Sequence, residues 1–287
     1  MSDRTLVVGA TGTTGSRVVR QLIEQGHPAV PASREPGPSA GTRAVRFDWY
    51  DADTHAAALR GVGRVYLVPP VGDPAPTAVM RPFLAQARAA GVRRAVLLSS
   101  SAVPAGGPAA GRVHELLADG LFEEWAVLRP SWFMQNFTGR HVHAESLRAD
   151  GVVASATGDG RVGFVDAEDI AAVAVRALTD AVAPDTDLVL TGPEALSYDQ
   201  VVALVGEATG RPATHRKLTY EQMRDRLTAD GIPAEFAAML AGMDQAIAEG
   251  AEDRVTSTVE RMTGRPALSF RAHVEAAMRQ ETGRSPR

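Results

Sequence analysis

Two reactive residue types are nearly or wholly missing from this sequence of 287 residues. It contains no cysteine, and Lys217 is its only lysine, so the remaining 29 of its 30 basic side chains are arginines. The lack of cysteine excludes disulfides, thiol nucleophiles, iron–sulfur clusters and cysteine-ligated zinc. Any mechanism that needs a lysine amine is restricted to one position.

The sequence also lacks an excess of positive charge and any long apolar run. Its formal net charge is −4, which argues against a protein built for non-specific nucleic-acid binding. No stretch approaches the roughly 18 apolar residues that would span a bilayer, and the first residues do not form a signal-peptide pattern. We therefore expect a cytoplasmic protein with a small-molecule substrate and with neither nucleic-acid nor membrane partners.

Short apolar segments alternate with helical patterns through the first half of the chain. Thr5–Val8 is a β-branched apolar run, and residues 16–25 then place apolar side chains at helical spacing. Further apolar runs at 64–68 and 94–99 are also followed by helical patterns. This alternation predicts an α/β protein with a Rossmann-like, doubly wound parallel sheet.

The strongest local motif is a glycine-rich loop between the first predicted strand and helix. It runs Gly9-Ala10-Thr11-Gly12-Thr13-Thr14-Gly15, a G-x-x-G-x-x-G spacing. Glycines at this place let the backbone approach a pyrophosphate that rests on the helix N-terminus. The sequence therefore predicts a dinucleotide site here, with a purely structural turn as the alternative.

The end of the second predicted strand indicates which dinucleotide is bound. An NAD site would place an acid there, whereas this chain has Ser33-Arg34. A guanidinium can pair with a 2′-phosphate, so Ser33 and Arg34 favour NADP(H). A solvated arginine is the alternative, and Glu35 could instead serve a ribose.

The pattern loosens after Pro130. Two S/T-x-x-Q capping boxes, at Ser197 and Thr219, begin helices in a mostly helical second part. We predict an NADP-binding Rossmann domain over 1–138 and a substrate-capping part over 139–287. The strand–helix unit around 161–191 is expected to pack on the first domain.

The glycine loop resembles that of the extended and atypical short-chain dehydrogenases, which usually reduce carbonyls with a Tyr-x-x-x-Lys pair. This chain has four tyrosines, and none has a lysine four residues later: Tyr50, Tyr66, Tyr198 and Tyr220. That proton donor is therefore missing.

Three further segments carry a closer resemblance. These are GRVHELL at 111–117, WAVLRPSWFMQNF at 125–137 and FVDAEDIA at 164–171. They resemble the NmrA-like branch of atypical short-chain dehydrogenases, and within it the festuclavine/agroclavine dehydrogenases of ergot alkaloid biosynthesis. The branch includes NADPH-dependent reductases and cofactor-sensing regulators.

The resemblance implies roles for residues that follow the predicted strands. Pro69 and Pro70 would lie where the cofactor passes, and Ser99 and Ser100 beside the nicotinamide, with Ser100 a catalytic candidate. Asp48 would flank the adenine. Loop capping remains the alternative for the serines, and a solvated turn for Asp48.

A histidine and an aromatic segment complete the candidates. His114 lies on the helix that would carry the missing lysine, where it could donate a proton. Trp132, Phe133 and Asn136 follow the sixth strand and would line the substrate pocket. Helix polarity and ordinary packing are the respective alternatives.

No metal site is predicted. His141 and His143 are two residues apart, so on a helix they would not share a face. Asp166 and Asp169 begin a predicted helix, where negative charge suits the helix dipole, so they are interpreted as structural.

The sequence as a whole predicts an NADPH-dependent reductase acting on a C=N or conjugated C=C bond of a small, largely apolar natural-product intermediate. An iminium already carries charge, so it needs no acid to polarise it. Two alternatives stay open: a non-enzymatic NADP(H)-sensing regulator, and a non-redox cyclase, lyase or isomerase on the same fold.

Overall fold

A computed structural model describes residues 4–37 and 42–282. The chain divides into two compact units. The first comprises Met1–Pro130, Ala167–Leu190 and Thr258–Gly264, and the second comprises Ser131–Asp166, Thr191–Ser257 and Arg265–Arg287.

Strands and helices alternate along the first half of the chain. The strands are β1 Thr5–Val8, β2 Ala29–Ser33, β3 Val45–Arg46, β4 Arg64–Leu67, β5 Arg94–Leu98, β6 Glu124–Pro130, β7 Val152–Ser155, β8 Arg161–Val162, β9 Thr186–Leu190, β10 Leu196–Ser197 and β11 Thr214–Lys217. The helices are α1 Gly15–Glu24, α2 His55–Ala58, α3 Thr77–Ala89, α4 Gly111–Ala118, α5 Val142–Ala149, α6 Ala167–Thr179, α7 Tyr198–Thr209, α8 Tyr220–Ala229, α9 Ala234–Ala248, α10 Thr258–Thr263 and α11 Phe270–Thr282. Short 3₁₀ turns occupy Ala52–Thr54 and Met134–Asn136.

The first unit is built on a seven-stranded parallel sheet. Its strand order is β3-β2-β1-β4-β5-β6-β9, so the chain reverses direction across the sheet between β1 and β4. Leu6, Val65 and Leu97 are completely buried, as strands covered on both faces require. The predicted Rossmann-like parallel sheet is confirmed.

Helix α6 returns to this sheet and packs on α1. Glu168 at its start pairs with Arg17 at 3.1 Å and also with Arg20, which ties the two helices together. Ala167–Leu190 therefore belongs to the first unit. The chain leaves that unit at Pro130 rather than at residue 138, because Trp132 and Met134 exchange backbone hydrogen bonds with Val165 in the second unit.

The second unit is helical but also contains two small sheets. Strands β10 and β8 pair antiparallel, and β11 and β7 pair parallel. Both predicted capping boxes are present at the starts of α7 and α8. Its core is aromatic: the rings of Phe137, Phe164, Tyr198 and Phe270 pack with centroids 5.4–5.7 Å apart. None of the described helices combines the length and the apolar character needed to cross a membrane.

Candidate cofactor site

A cleft of about 360 Å³ opens at the carboxyl ends of β1, β2 and β4, where open α/β sheets bind ligands. It brings together the glycine loop, the end of β2 and the segment after β4. Its lining residues are Val8, Gly9, Thr11, Gly12, Ser33, Arg34, Phe47, Asp48, Trp49, Tyr50, Val68, Pro69, Pro70 and Val71. Most of the predicted cofactor residues therefore share one cleft.

The glycine loop is folded tightly on itself. Gly9 has φ +74°, and a Cβ on Gly15 would lie 2.2 Å from the Gly9 carbonyl oxygen, so both positions need glycine for the fold. Gly12 donates its N–H to the same carbonyl at 2.9 Å, and a Cβ there would still lie 3.2 Å away. Gly12 lines the cleft, and an added Cβ at this position would meet only that one contact.

The helix behind the loop offers free backbone donors. Thr14 caps α1 without using its side chain, and among the first three N–H groups of the helix only that of Ser16 is bonded within the described residues, to the Gly12 carbonyl at 3.2 Å. Such a helix start suits an anionic pyrophosphate. Thr11 lines the cleft, whereas Thr13 and Thr14 belong to the helix start, where the Thr13 carbonyl accepts from Arg17 at 2.7 Å. The loop therefore fits a dinucleotide.

Arg34 is the one charged side chain in the cleft wall without an ion pair or hydrogen bond to the described part of the chain. It is exposed, and the Ser33 hydroxyl beside it donates to the Glu35 carbonyl at 2.9 Å, which shapes the turn. Glu35 does not line the cleft. This geometry suits a phosphate partner for Arg34 better than a ribose partner for Glu35.

The segment after β3 forms the far wall. The Trp49 indole donates to the Val68 carbonyl at 3.0 Å, and Asp48 accepts from the Tyr50 N–H at 3.0 Å. The Tyr50 hydroxyl donates to Asp73 at 2.7 Å, and this bond raises the tyrosine pKa. Tyr50 was not predicted from sequence, although an aromatic residue two positions after Asp48 is the signal that could have found it.

The two serines after β5 differ. Ser99 donates its N–H to the Leu128 carbonyl at 2.7 Å, and its buried hydroxyl has no partner among the described residues. The Ser100 hydroxyl accepts from the Ala102 N–H at 3.3 Å, as a turn-capping serine does. Neither lines the cleft described above, so the catalytic role of Ser100 stays a prediction.

His114 is buried in the first unit. Only 4% of it is exposed, its ring lies 6.2 Å from that of Trp125, and Nδ1 has no partner among the described residues. Burial lowers its pKa, and the neighbouring Arg129 adds to this while Asp187 opposes it. The imidazole is therefore neutral near pH 7, which makes it a weak proton donor.

The predicted substrate residues lie on one segment of the second unit. Trp132, Phe133 and Asn136 are each half-buried, while Met134 and Phe137 between and after them enter the core. This alternation leaves the three predicted side chains partly accessible. Their role in binding substrate stays a prediction.

The histidine pair is part of the second unit's packing. His143 stacks on Phe137 at 5.4 Å, and burial lowers its pKa to about 3. His141 accepts from the His143 N–H at 3.2 Å. Across residues 4–37 and 42–282, no cluster of three potential metal ligands occurs.

A buried polar network was missed by the sequence reasoning. Asp166 accepts hydrogen bonds from Gln135 at 3.0 Å and from His273 Nδ1 at 2.5 Å, and His273 Nε2 lies 2.8 Å from the Thr138 hydroxyl. These contacts tie α11 through Asp166 to the middle of the 3₁₀ turn that carries Asn136, and directly to Thr138 just after that turn. The structural interpretation of Asp166 stands, but its partners lie far away in sequence.

Comparisons with known proteins identify the family of this chain. A family model described as NAD(P)H-binding matches residues 9–181, and the NmrA-like family model matches residues 124–277. An uncharacterized oxidoreductase, YesF of Bacillus subtilis, is 44% identical over 92% of each chain. Agroclavine dehydrogenase of Claviceps fusiformis is 37% identical over 92% of this chain and 94% of its own.

Solved structures show the same fold. The NADPH-dependent quinone oxidoreductase QOR2 of Escherichia coli, solved in complex with NADPH, superposes with a TM-score of 0.78. It is 25% identical, and the alignment covers 96% of this chain and 99% of that one. The expected nicotinamide cofactor and the expected resemblance are thus confirmed. The chain belongs to the NmrA-like family of NAD(P)H-binding proteins and is an NAD(P)H-dependent oxidoreductase.

Proposed function

We propose that this oxidoreductase uses NADPH to reduce a C=N or conjugated C=C bond in a small, largely apolar natural-product intermediate. Arg34 supports NADPH over NADH, because its unpaired guanidinium lines the cleft at the end of β2. The similarity to agroclavine dehydrogenase supports the substrate class. NADPH, when bound, supplies the hydride.

The proposed substrate class rests on one observation, the shortage of side chains that could donate a proton. Tyr66 and Tyr198 are completely buried, and burial raises both pKa values far above neutrality. The Tyr50 hydroxyl is committed to Asp73. Three of the four tyrosines are therefore poorly suited to protonate a carbonyl oxygen.

Lys217 does not restore the missing pair. Its amine lies 2.6 Å from Asp159 and 3.1 Å from Asp199 in the second unit, and it pairs with no tyrosine. With His114 neutral, a substrate that already carries its positive charge suits this chain best. The protein then contributes binding and orientation.

The test compares three substrates at equal concentration: a cyclic iminium, a conjugated enal and a simple ketone. We expect NADPH oxidation with the first two and little with the ketone. With NADPH deuterated at the transferred position, the label should appear in the product. Faster reduction of the ketone, or product formed without NADPH oxidation, would contradict the proposal.

A further inference from the structure

A second and larger cavity lies on the first unit. It measures about 660 Å³ and is bounded by the first turns of α3 and by the loop that precedes α4. It shares no lining residue with the cofactor cleft. Its size falls within the range of small-molecule sites.

Two arginines give this cavity its charge. Arg81 and Arg112 both line it, and neither makes an ion pair or a hydrogen bond with any residue of the described segments. No aspartate or glutamate lines the cavity. Two other arginines of the same unit are occupied: Arg94 pairs with Glu124 at 2.7 Å and Arg129 with Asp187 at 2.6 Å.

A buried hydroxyl is a further polar group of this cavity that has no partner among the described residues. Thr77 lines the cavity at the start of α3, and its Oγ1 is inaccessible to solvent without a hydrogen-bond partner among the described residues. Polar groups left in this way are uncommon in proteins, because losing water without gaining a partner costs free energy. The Thr77 hydroxyl is therefore an unsatisfied polar group within the cavity wall.

The remaining walls are apolar and held in place. Pro74, Pro82 and Pro108 supply ring surfaces. The loop before α4 is closed by its own hydrogen bonds, Gly106 N–H to Gly111 O at 2.9 Å among them. Ala109 in this loop has φ +48°, a conformation that residues other than glycine rarely adopt. The site is therefore largely formed before any ligand arrives.

We propose that this cavity binds an organic oxyanion: a carboxylate, sulfonate or phosphate head on a small, flat apolar body. The guanidinium groups of Arg81 and Arg112 suit a planar or tetrahedral oxyanion, to which arginine can donate two parallel hydrogen bonds. The proline rings cover the apolar body. Asp73 connects this cavity to the cofactor cleft, since it accepts from the Ala75 N–H at 2.8 Å and from the Tyr50 hydroxyl.

Calorimetry on the NADPH-saturated protein tests the proposal with three probes. These are naphthalene-2-sulfonate, the neutral 2-naphthalenemethanol and inorganic sulfate. We expect the sulfonate to bind at least about tenfold more tightly than either of the others, because only it engages both charge and apolar wall. Arg81→Gln and Arg112→Gln should each weaken it by about tenfold.

Two further variants separate charge from space. Ala78→Trp fills the cavity while keeping both arginines, and it should abolish sulfonate binding. Arg60→Gln removes an exposed charge from the same unit outside the cavity and should leave binding unchanged. Unaltered NADPH affinity in each variant shows that the fold is intact.

The proposal is overturned if the sulfonate does not bind, or if the neutral or inorganic probe binds as tightly. It is also overturned if the Arg81→Gln/Arg112→Gln double variant binds like wild type, which would place the ligand elsewhere. These outcomes do not depend on which substrate the enzyme reduces.

Discussion

Replacing Arg34 by alanine should change the preference between the two nicotinamide cofactors. A hydrogen bond to a charged group contributes about 1.5–3 kcal/mol, and an exposed pair in water contributes less, typically below about 1 kcal/mol. Arg34 is exposed but lines the cleft wall, where a bound cofactor would partly shield it. We therefore expect Arg34→Ala to weaken NADPH binding by about 1–2 kcal/mol, roughly 5- to 30-fold in Kd.

Calorimetric titration of wild type and variant with NADPH and with NADH measures this effect. NADH affinity should change by less than about twofold, since it lacks the 2′-phosphate. Arg34→Lys should retain part of the NADPH affinity, because a lysine keeps the charge but not the planar fork. Higher ionic strength should narrow the gap between the cofactors in wild type more than in Arg34→Ala. Equal losses for NADPH and NADH, or a wild type that binds both equally, would refute the assignment of Arg34 to the 2′-phosphate.

Three other perturbations test the remaining reasoning. Gly12→Val places a branched side chain in the loop, with the new Cβ 3.2 Å from the Gly9 carbonyl oxygen. NADPH binding should be lost while circular dichroism shows a folded protein, and retained binding would show that the pyrophosphate lies elsewhere. His273→Ala removes a partner from buried Asp166 and should cost about 2–4 kcal/mol in urea unfolding, whereas an unchanged midpoint would show that the network is not stabilising. His143 has a pKa near 3 in the folded chain against about 6.5 unfolded, so only the unfolded state takes up its proton as the pH falls. Stability should therefore fall by up to about 3 kcal/mol between pH 7 and pH 4, and His143→Gln should flatten this dependence. Asp244 affects the pH dependence of stability in the opposite sense, because burial raises its pKa to about 6. An unaltered pH profile of stability in His143→Gln would contradict the assignment of this dependence to His143.

The parts of the fold that could be predicted are those in which the residue type at each position follows from its local environment in the structure. Thr5–Val8 is apolar at every position because both faces of that strand are covered. The glycine loop could be identified because a Cβ at Gly15 would collide with the backbone of Gly9. In both cases the physical constraint acts on neighbours in sequence, so the sequence carries the signal.

The parts that escaped prediction depend on partners far away in the chain. Thr214–Lys217 is polar and mostly exposed, and it becomes a strand only because β7 lies beside it, pairing Thr214 with Val152. The bond between His273 and Asp166 joins residues 107 positions apart. No local pattern distinguishes such a histidine from a solvated one, so only the folded chain shows it.

In a chain with 29 arginines and one lysine, an arginine's partners say more about its role than its presence does. Arg94 donates to three carbonyls at the end of α6 and pairs with Glu124, and Arg129 joins Asp187 to the carbonyls of Ser100 and Ser101. Both therefore serve to hold the sheet and its loops together.

Arg34, Arg81 and Arg112 differ from Arg94 and Arg129. Each of the three lines a cavity, and none is paired within the described residues. The side chain of the exposed Arg60 also makes no ion pair or hydrogen bond with a described residue, so the lack of a partner alone does not mark a site. What distinguishes these three from Arg60 is that each lines a concave surface in which no carboxylate of the described residues lies within ion-pair distance of its guanidinium. Because arginine stays charged at every physiological pH, that imbalance is permanent, and an anionic ligand is the natural means of relieving it. The same physical criterion thus underlies both proposals, a 2′-phosphate beside Arg34 and an organic oxyanion beside Arg81 and Arg112.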